Sequence, residues 1–277
     1  MENSLVLKKL SRKLMDIAAE SSLKVAPYLM EVFKNGIIPE EKKGYYDLVT
    51  EADRITEALL VKYLIQAYPD SCVIGEENGE QGTGSVSWII DPIDGTNNFV
   101  SGIPFFCISI GAVYDDKVVA GVIYDPVRQE MFSASLDGAF LNREAITSNG
   151  NVSDNTSLLL TGFPYEGGVV RDEDFLFFQQ IIGNFRAVRR LGSTALEMAY
   201  VAIGRADVTF QTNANSWDVS AGMFIIKQAG GHYYVPEGTA DHNRPEWKSP
   251  RFVGACVDFN LKKSVLKQLL ISRGGIV

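Results

Sequence analysis

The chain has 277 residues, enough to bury a sizeable core as one large domain or two closely packed ones, with the 46% hydrophobic and 22% charged residues of an ordinary soluble globule. Thirty-four Asp and Glu against 26 Lys and Arg give a formal net charge of −8 with no basic stripe, which argues against nucleic-acid binding; a phosphate ligand would need the local field reversed, and a divalent metal is the natural means. His232 and His242 lack partners at metal-ligand spacing, against most zinc sites and a serine-histidine triad, while the scattered Cys72, Cys107 and Cys256 read as reduced core residues of a cytoplasmic protein.

Val6, Leu10, Leu14 and Ile17 recur at helical intervals and predict a first helix reaching the region of Phe33, stopped by Asn35 and Gly36. Lys8, Lys9, Arg12 and Lys13 interleave with its leucines and no long apolar run follows, so neither a signal peptide nor a membrane span is expected. Residues 37–46, with proline, glycine and the charges Glu40, Glu41, Lys42 and Lys43, have the composition of a loop, suited to a lid or to a plain solvated connection. Thr50 suits an N-cap for a second helix bearing Ile55, Leu59, Tyr63 and Leu64 and ended by Pro69. Asp53 then falls at the third helical position, where it either supports the helix start or serves a site.

Two short apolar runs end in carboxylates. Cys72-Val73-Ile74 leads into Gly75-Glu76-Glu77, and residues 86–90 lead into Asp91-Pro92-Ile93-Asp94-Gly95-Thr96. The proline between Asp91 and Asp94 prevents a regular helix and favours a turn that points both carboxylates at one ion. Gly95 and Thr96 begin a helix or turn whose N–H groups suit phosphate oxygens, and the glycine permits close approach. Taken singly, each feature has an ordinary explanation: Asp-Pro and Asp-Gly are common turns, Glu76-Glu77 suits a solvated charge pair, and Asp218 suits an N-cap. Their joint placement at the ends of apolar segments points instead to an oxygen-rich site for magnesium. Two ions about 3.5 to 4 Å apart would clamp an in-line phosphoryl displacement.

Residues 105–114 and 117–124 flank Asp115-Asp116 as a hairpin, and 130–135 continues an antiparallel meander. The polar stretch 147–156 separates an N-terminal part, 1–146, with the metal-type motifs from a C-terminal part, 147–277. In the latter, strand-like 158–161, helix-like 174–182, strand-like 187–191 and helix-like 194–202 alternate as a layered α/β unit. Trp217-Asp218 opens an amphipathic helix over 219–229, and a last helix is expected at 261–270, started by Asp258 or Asn260.

Asp47-Leu48-Val49-Thr50 with Asp53, Gly75-Glu76-Glu77, the run from Trp88 to Phe99, Trp217-Asp218 and Gly230-Gly231 together resemble the motifs of the inositol monophosphatase family, in its order and spacing, within the lithium-sensitive, magnesium-dependent phosphatases. The resemblance runs from about Asp47 to the C-terminal helix and is specific for chemistry, not for substrate. It implies an α+β, α/β layered αβαβα sandwich of the sugar phosphatase type, with the site between two halves, and a cytoplasmic homodimer with no membrane partner. It also implies two or three Mg2+ ions: Glu76, Asp91 and the carbonyl of Ile93 on one, Asp91, Asp94 and Asp218 on a second, and a weaker third near Glu76. By the same resemblance Thr96 and Asp53, or Glu76, orient the attacking water, and Gly95 and Thr96 hold phosphate oxygens. Arg190, Gly192, Ser193, Thr194, Gln211 and Asp218 are the implied substrate contacts.

Inositol 1-phosphate is the first choice of substrate. Fructose 1,6-bisphosphate, histidinol phosphate, NADP and 3'-phosphoadenosine 5'-phosphate are alternatives, and a non-catalytic regulatory relative is a further one, opposed by the presence of Glu76, Asp91, Asp94 and Asp218. One departure bears on this choice. Seven residues before the Trp-Asp aspartate the animal enzymes have glutamate, and this chain has Gln211, an amide that can donate and does not repel a second anion. Arg189, Arg190 and Arg205 are then either partners for a second phosphate or ordinary surface arginines.

Overall fold

Leu14, Ala18, Val25 and Leu29 line up on one buried face of helix α1 (Glu2–Asn35), which tolerates Pro27 and ends where Gly36 takes a φ of +82°. The computed structural model describes residues 2–36, 40–41, 48–49, 51–164, 170–236 and 245–270. Most of the loop expected at 37–46, with its lid alternative, and the Thr50 cap lie outside those residues; within them strands β1 (Glu40–Glu41) and β2 (Leu48–Val49) pair antiparallel. Helix α2 (Glu51–Ala67) follows, with Leu60 and Leu64 in the same apolar cluster as α1.

Strands β3 (Ser71–Gly75), β4 (Gly79–Gly82) and β5 (Val86–Asp94) lead to the five-residue helix α3 (Thr96–Val100). The meander then runs through β6 (Cys107–Tyr114), β7 (Lys117–Asp125), β8 (Glu130–Ser135), β9 (Gly138–Leu141) and β10 (Glu144–Ile146). Asp115 and Asp116 adopt φ values of 52° and 56°, the left-handed pair that a tight two-residue hairpin requires. Together these strands form an eight-stranded sheet in the order β10-β9-β8-β7-β6-β5-β3-β4, antiparallel except between β3 and β5. β6 and β7 are buried along nearly their whole length, because helices cover both faces of the sheet.

The remaining elements are β11 (Leu158–Thr161), α4 (Asp172–Asn184), β12 (Ala187–Arg189), α5 (Thr194–Ala202), β13 (Val208–Gln211), α6 (Ser216–Gln228), β14 (His232–Tyr234) and β15 (Phe252–Ala255). Their strands make a five-stranded sheet, β12-β11-β13-β15-β14, parallel around β11 and antiparallel around β15. The layers are α1 and α2, the large sheet, α5 and α6, the small sheet, and α4: the expected αβαβα sandwich. The final helix expected at 261–270 is instead two 3₁₀ turns, Leu261–Lys263 and Val265–Leu270. Ser264 breaks it, because its hydroxyl accepts the Leu266 N–H at 3.0 Å and offers the backbone a local alternative to the helix. Among the described residues no helix is long and apolar enough to cross a membrane.

α6 lies unusually close to the large sheet. A Cβ on Gly111 would stand 2.4 Å from Ser220 Oγ, and one on Gly121 would stand 2.8 Å from the Ala221 carbonyl oxygen. Only glycine at both positions lets the helix approach, and that approach sets the height at which α6 presents its first turn. Gly121→Val is therefore expected to destabilise the fold by about 1–3 kcal/mol, the usual result of overpacking, in chemical denaturation; wild-type stability would show that α6 can yield.

Candidate active site

β3 and β5 are parallel neighbours whose ends coincide, with Gly75 opposite Ile90. The Glu76 N–H reaches Ile90 O at 3.3 Å, so the ladder carries Glu76 to the side of Asp91. β5 does not stop at Ile90 in a turn, as the Asp-Pro sequence suggests; it continues irregularly to Asp94. Asp91 pairs with Ser109 and Asp94 with Cys107, so three steps on β5 match two on β6 and one residue is bulged out. In a regular strand, side chains three apart point to opposite faces. The bulge shifts that phase and brings Asp91 and Asp94 to one side. Pro92 sits within it, where no ladder hydrogen bond is lost.

The third carboxylate comes from α6. Its N-cap is Asn215, not Asp218; Asp218 is the third helical residue and accepts the Asn215 N–H at 2.7 Å. One carboxylate thus ends the helix and faces the site. Ligand-type oxygens of Asp91, Asp94 and Asp218 all lie within 4.8 Å of one another.

Asp94 is held by the other half of the chain. It accepts the Ala195 N–H at 2.8 Å and the Thr194 N–H at 3.2 Å, takes a short hydrogen bond from the Ser193 hydroxyl, and has Cys107 Sγ at 3.6 Å. The carboxylate therefore sits on the N-terminus of α5, where the helix dipole favours negative charge. Ser193 and Thr194, expected at the substrate, make these bonds to Asp94. Gly95 has a φ of +96°, and a Cβ there would lie 3.0 Å from Phe105 O and 3.2 Å from Gly192 O. Gly192 is thereby brought against the phosphate-type turn, and Asn98 fastens the junction by donating to Phe105 O at 2.8 Å and Leu191 O at 2.7 Å. The Thr96 hydroxyl has two acceptors, Ile93 O at 3.0 Å and Asp53 Oδ1 at 3.3 Å. Its oxygen lone pairs stay open to a water.

Gln211 and Arg190 meet at Gly162. The Gln211 amide oxygen accepts the Gly162 N–H at 2.9 Å, and Arg190 donates to Gly162 O at 3.1 and 2.8 Å. Gln211 Nε2 in turn donates to the fully buried Glu197 at 3.1 Å. Arg205 is drawn elsewhere: it forms a two-pronged pair with Glu130, one arm at 2.6 Å, and lies over Tyr200. Arg189 is exposed and donates to its neighbour's carbonyl. Of the three arginines weighed for a second phosphate, Arg190 stands next to Gln211 and Arg205 is committed to an ion pair. Glu197 and Ala195 carry no sequence signature of their own; a carboxylate three residues into an otherwise apolar helix was the one available sign for Glu197. The three cysteines are free and buried, as expected.

Burial pushes the Asp91 carboxyl well above the usual carboxylate range, and Glu76, Asp94 and Asp218 push it further. For Asp94 burial also raises the pKa, opposed by the donors Ser193, Ala195 and Thr194. Burial and then the charge of Asp94 push Asp218 up to about 7. Crowded oxygens that cannot share negative charge without a counterion are the donor set of a hard divalent cation, and they fit Mg2+.

A stacked αβαβα sandwich with a carboxylate cluster at the ends of β3, β5 and the start of α6 defines the sugar-phosphatase class of fold. The sequence pattern of the inositol monophosphatase family matches residues 11–272, and the chain belongs to that family. It is 37% identical over 237 residues to the Nus factor SuhB of Xylella fastidiosa, covering 84% of this chain and 85% of that protein. It is also 37% identical over 220 residues to an inositol-1-monophosphatase of Synechocystis sp., covering 78% and 77%. Among solved structures the IMPase of Thermotoga maritima superimposes with a TM-score of 0.79 at 33% identity, over 92% of this chain and 95% of that one.

The raised carboxylates give a pH dependence of defined sign. Folded Asp218 keeps its proton up to about 7, whereas an unfolded aspartate releases it near ~3.9. Between those values the folded chain binds more protons, so metal-free stability falls as pH rises through that window. The metal-free protein should melt at a lower temperature at about pH 8 than at about pH 5.5, with a smaller difference in Asp218→Asn, and Mg2+ should raise the melting temperature more at the higher pH. An identical slope in Asp218→Asn would remove this cluster as its cause.

Proposed function

We propose that the protein is a Mg2+-dependent phosphomonoesterase acting on a small phosphorylated polyol, first among them inositol 1-phosphate, and that it works as a cytoplasmic homodimer. The observation that carries the reading is the convergence of Asp91, Asp94 and Asp218 within 4.8 Å, beside Glu76 and the Gly95-Thr96 turn. In this reading Glu76, Asp91 and the Ile93 carbonyl would hold one ion and Asp91, Asp94 and Asp218 a second, with a weaker third near Glu76. Bound Mg2+ would supply charge neutralisation and a water of lowered pKa.

The chain's own groups do the rest. Thr96 donates its proton to Ile93 O or Asp53, which leaves its oxygen to accept a hydrogen bond from the attacking water and orient it. Glu76 or the Thr96–Asp53 pair receives the proton. The N–H groups of Gly95 and Thr96 would hydrogen-bond phosphate oxygens. Asp218 would steer the water that delivers a proton to the leaving alkoxide. In this reading Gln211, Arg190 and Gly192 would contact the leaving group, and the neutral amide leaves room for the alternatives: fructose 1,6-bisphosphate, histidinol phosphate, NADP and 3'-phosphoadenosine 5'-phosphate.

Relatives named Nus factor SuhB support a second reading, in which this chain also serves as such a factor. The complete carboxylate set favours activity over a purely regulatory role. Phosphate release measured over the five candidate substrates with Mg2+ tests the proposal, and no release from any of them would overturn it.

Asp94→Asn keeps shape while removing charge, and should lower turnover at least about a hundredfold, on the scale of removing a major transition-state stabiliser. Near-normal turnover would sink the two-ion assignment. Lithium, similar in size to magnesium with half its charge, is expected to inhibit by taking the place bounded by Asp91, Asp94 and Asp218; full activity at high millimolar lithium with saturating substrate would count against that.

A further inference from the structure

Glu57 is fully buried on α2, one turn beyond Asp53 and on the same face of the helix. Its carboxylate accepts the Glu77 N–H at 2.9 Å, the Asn78 N–H at 3.0 Å and the Asn78 side-chain amide at 2.8 Å. Both carboxylate oxygens are thus committed to the turn that follows Glu76. Gly75 makes room: a Cβ there would stand 2.4 Å from Glu57 Oε2. The glycine before Glu76 is required by a side chain on another element, since Gly75 has no need of positive φ.

The physical need for such a clamp is plain. The sheet holds Glu76 through its N–H to Ile90 O at 3.3 Å at the end of β3, and the chain then turns through Glu77 and Asn78 into β4, where Gly79 pairs with Gly75. Beside it stands Asp91, whose strongest charged neighbour is Glu76. Repulsion between the two would push the turn that carries Glu76 away from the site. Three donors closing on Glu57 resist that from the other side of Glu76, and α2 thereby braces two site segments at once: Thr96 through Asp53 and Glu76 through Glu57.

We infer that Glu57 is a positioning residue for Glu76: it sets the affinity of the site for Mg2+ and the turnover that depends on it, without touching substrate. The inference rests on the reading of Glu76 as a metal-site carboxylate. Outer partners of ligands typically govern metal affinity or activity by about 10–100-fold.

The test compares Glu57→Gln, Asn78→Ala, Glu76→Gln and Asp207→Asn in the full chain. Asp207 is a remote buried carboxylate that likewise clamps backbone, accepting the Asn151 and Leu158 N–H groups at 2.6 Å, and so controls for a merely structural role. Calorimetric titration with Mg2+ alone should show affinity weakened about tenfold in Glu57→Gln and about threefold in Asn78→Ala, with kcat lowered in parallel and KM for inositol 1-phosphate at saturating Mg2+ within about twofold. Asp207→Asn should lower the melting temperature with Mg2+ affinity unchanged. Glu57→Gln with Mg2+ affinity and kcat within about twofold of wild type overturns the inference. If that variant does not fold, the exposed Asn78 decides it, and an unchanged Asn78→Ala overturns it equally. Wild-type Mg2+ affinity and turnover in Glu76→Gln would instead remove Glu76 from the site and overturn the parent reading along with this one.

Discussion

Mutual repulsion among buried carboxylates is the constraint around which this molecule is arranged. Asp91, Asp94 and Asp218 come from a strand, its bulged end and a helix, and burial raises all three carboxyls, so without a counterion their closeness is relieved by retained protons. The surroundings also fix them in place. Asp94 is bound to the α5 N-terminus, Asp218 to its own helix start, and α6 is pressed on the sheet through Gly111 and Gly121.

The bulge at Pro92 solves a problem of parity. Two carboxylates three residues apart cannot share a face of a regular strand, and a turn would have freed them from the sheet altogether. An irregular strand keeps the backbone fixed by β6 while turning both side chains to one side. Rigid placement of the two carboxylates follows from the sheet, and the helix α5 closes the arrangement from the opposite half.

Much of this was legible in the amino-acid order. Strands 130–135 and 158–161 and helix 194–202 coincide with the expected bounds, because alternation, turn residues and apolar periodicity agree there. The carboxylate motifs were visible because they end apolar runs. What could not be read were long-range partners: that Ser193 and Thr194 hold Asp94, that Glu197 meets Gln211, and that Glu57 meets the turn after Glu76. Each is a pairing between distant segments, and local pattern carries no record of it. Ser264 shows the opposite failure, where a single hydroxyl overrode a sound apolar period.

The contact of Gly95 with Gly192, and of Asp94 with the first N–H groups of α5, also governs how this scaffold can be recombined. A C-terminal half grafted from a relative would bring its own equivalent of Asp218, yet it would assemble a working centre only if its α5 began at the same height against Asp94. Gly192 and Ala195 contribute backbone there, whereas Gln211 is tied to the junction through Glu197, which it meets at 3.1 Å and which accepts the Leu191 N–H at 3.2 Å. A change of side chain at Gln211 is thereby transmitted to the backbone height at Gly192, fewer than twenty residues away along the chain.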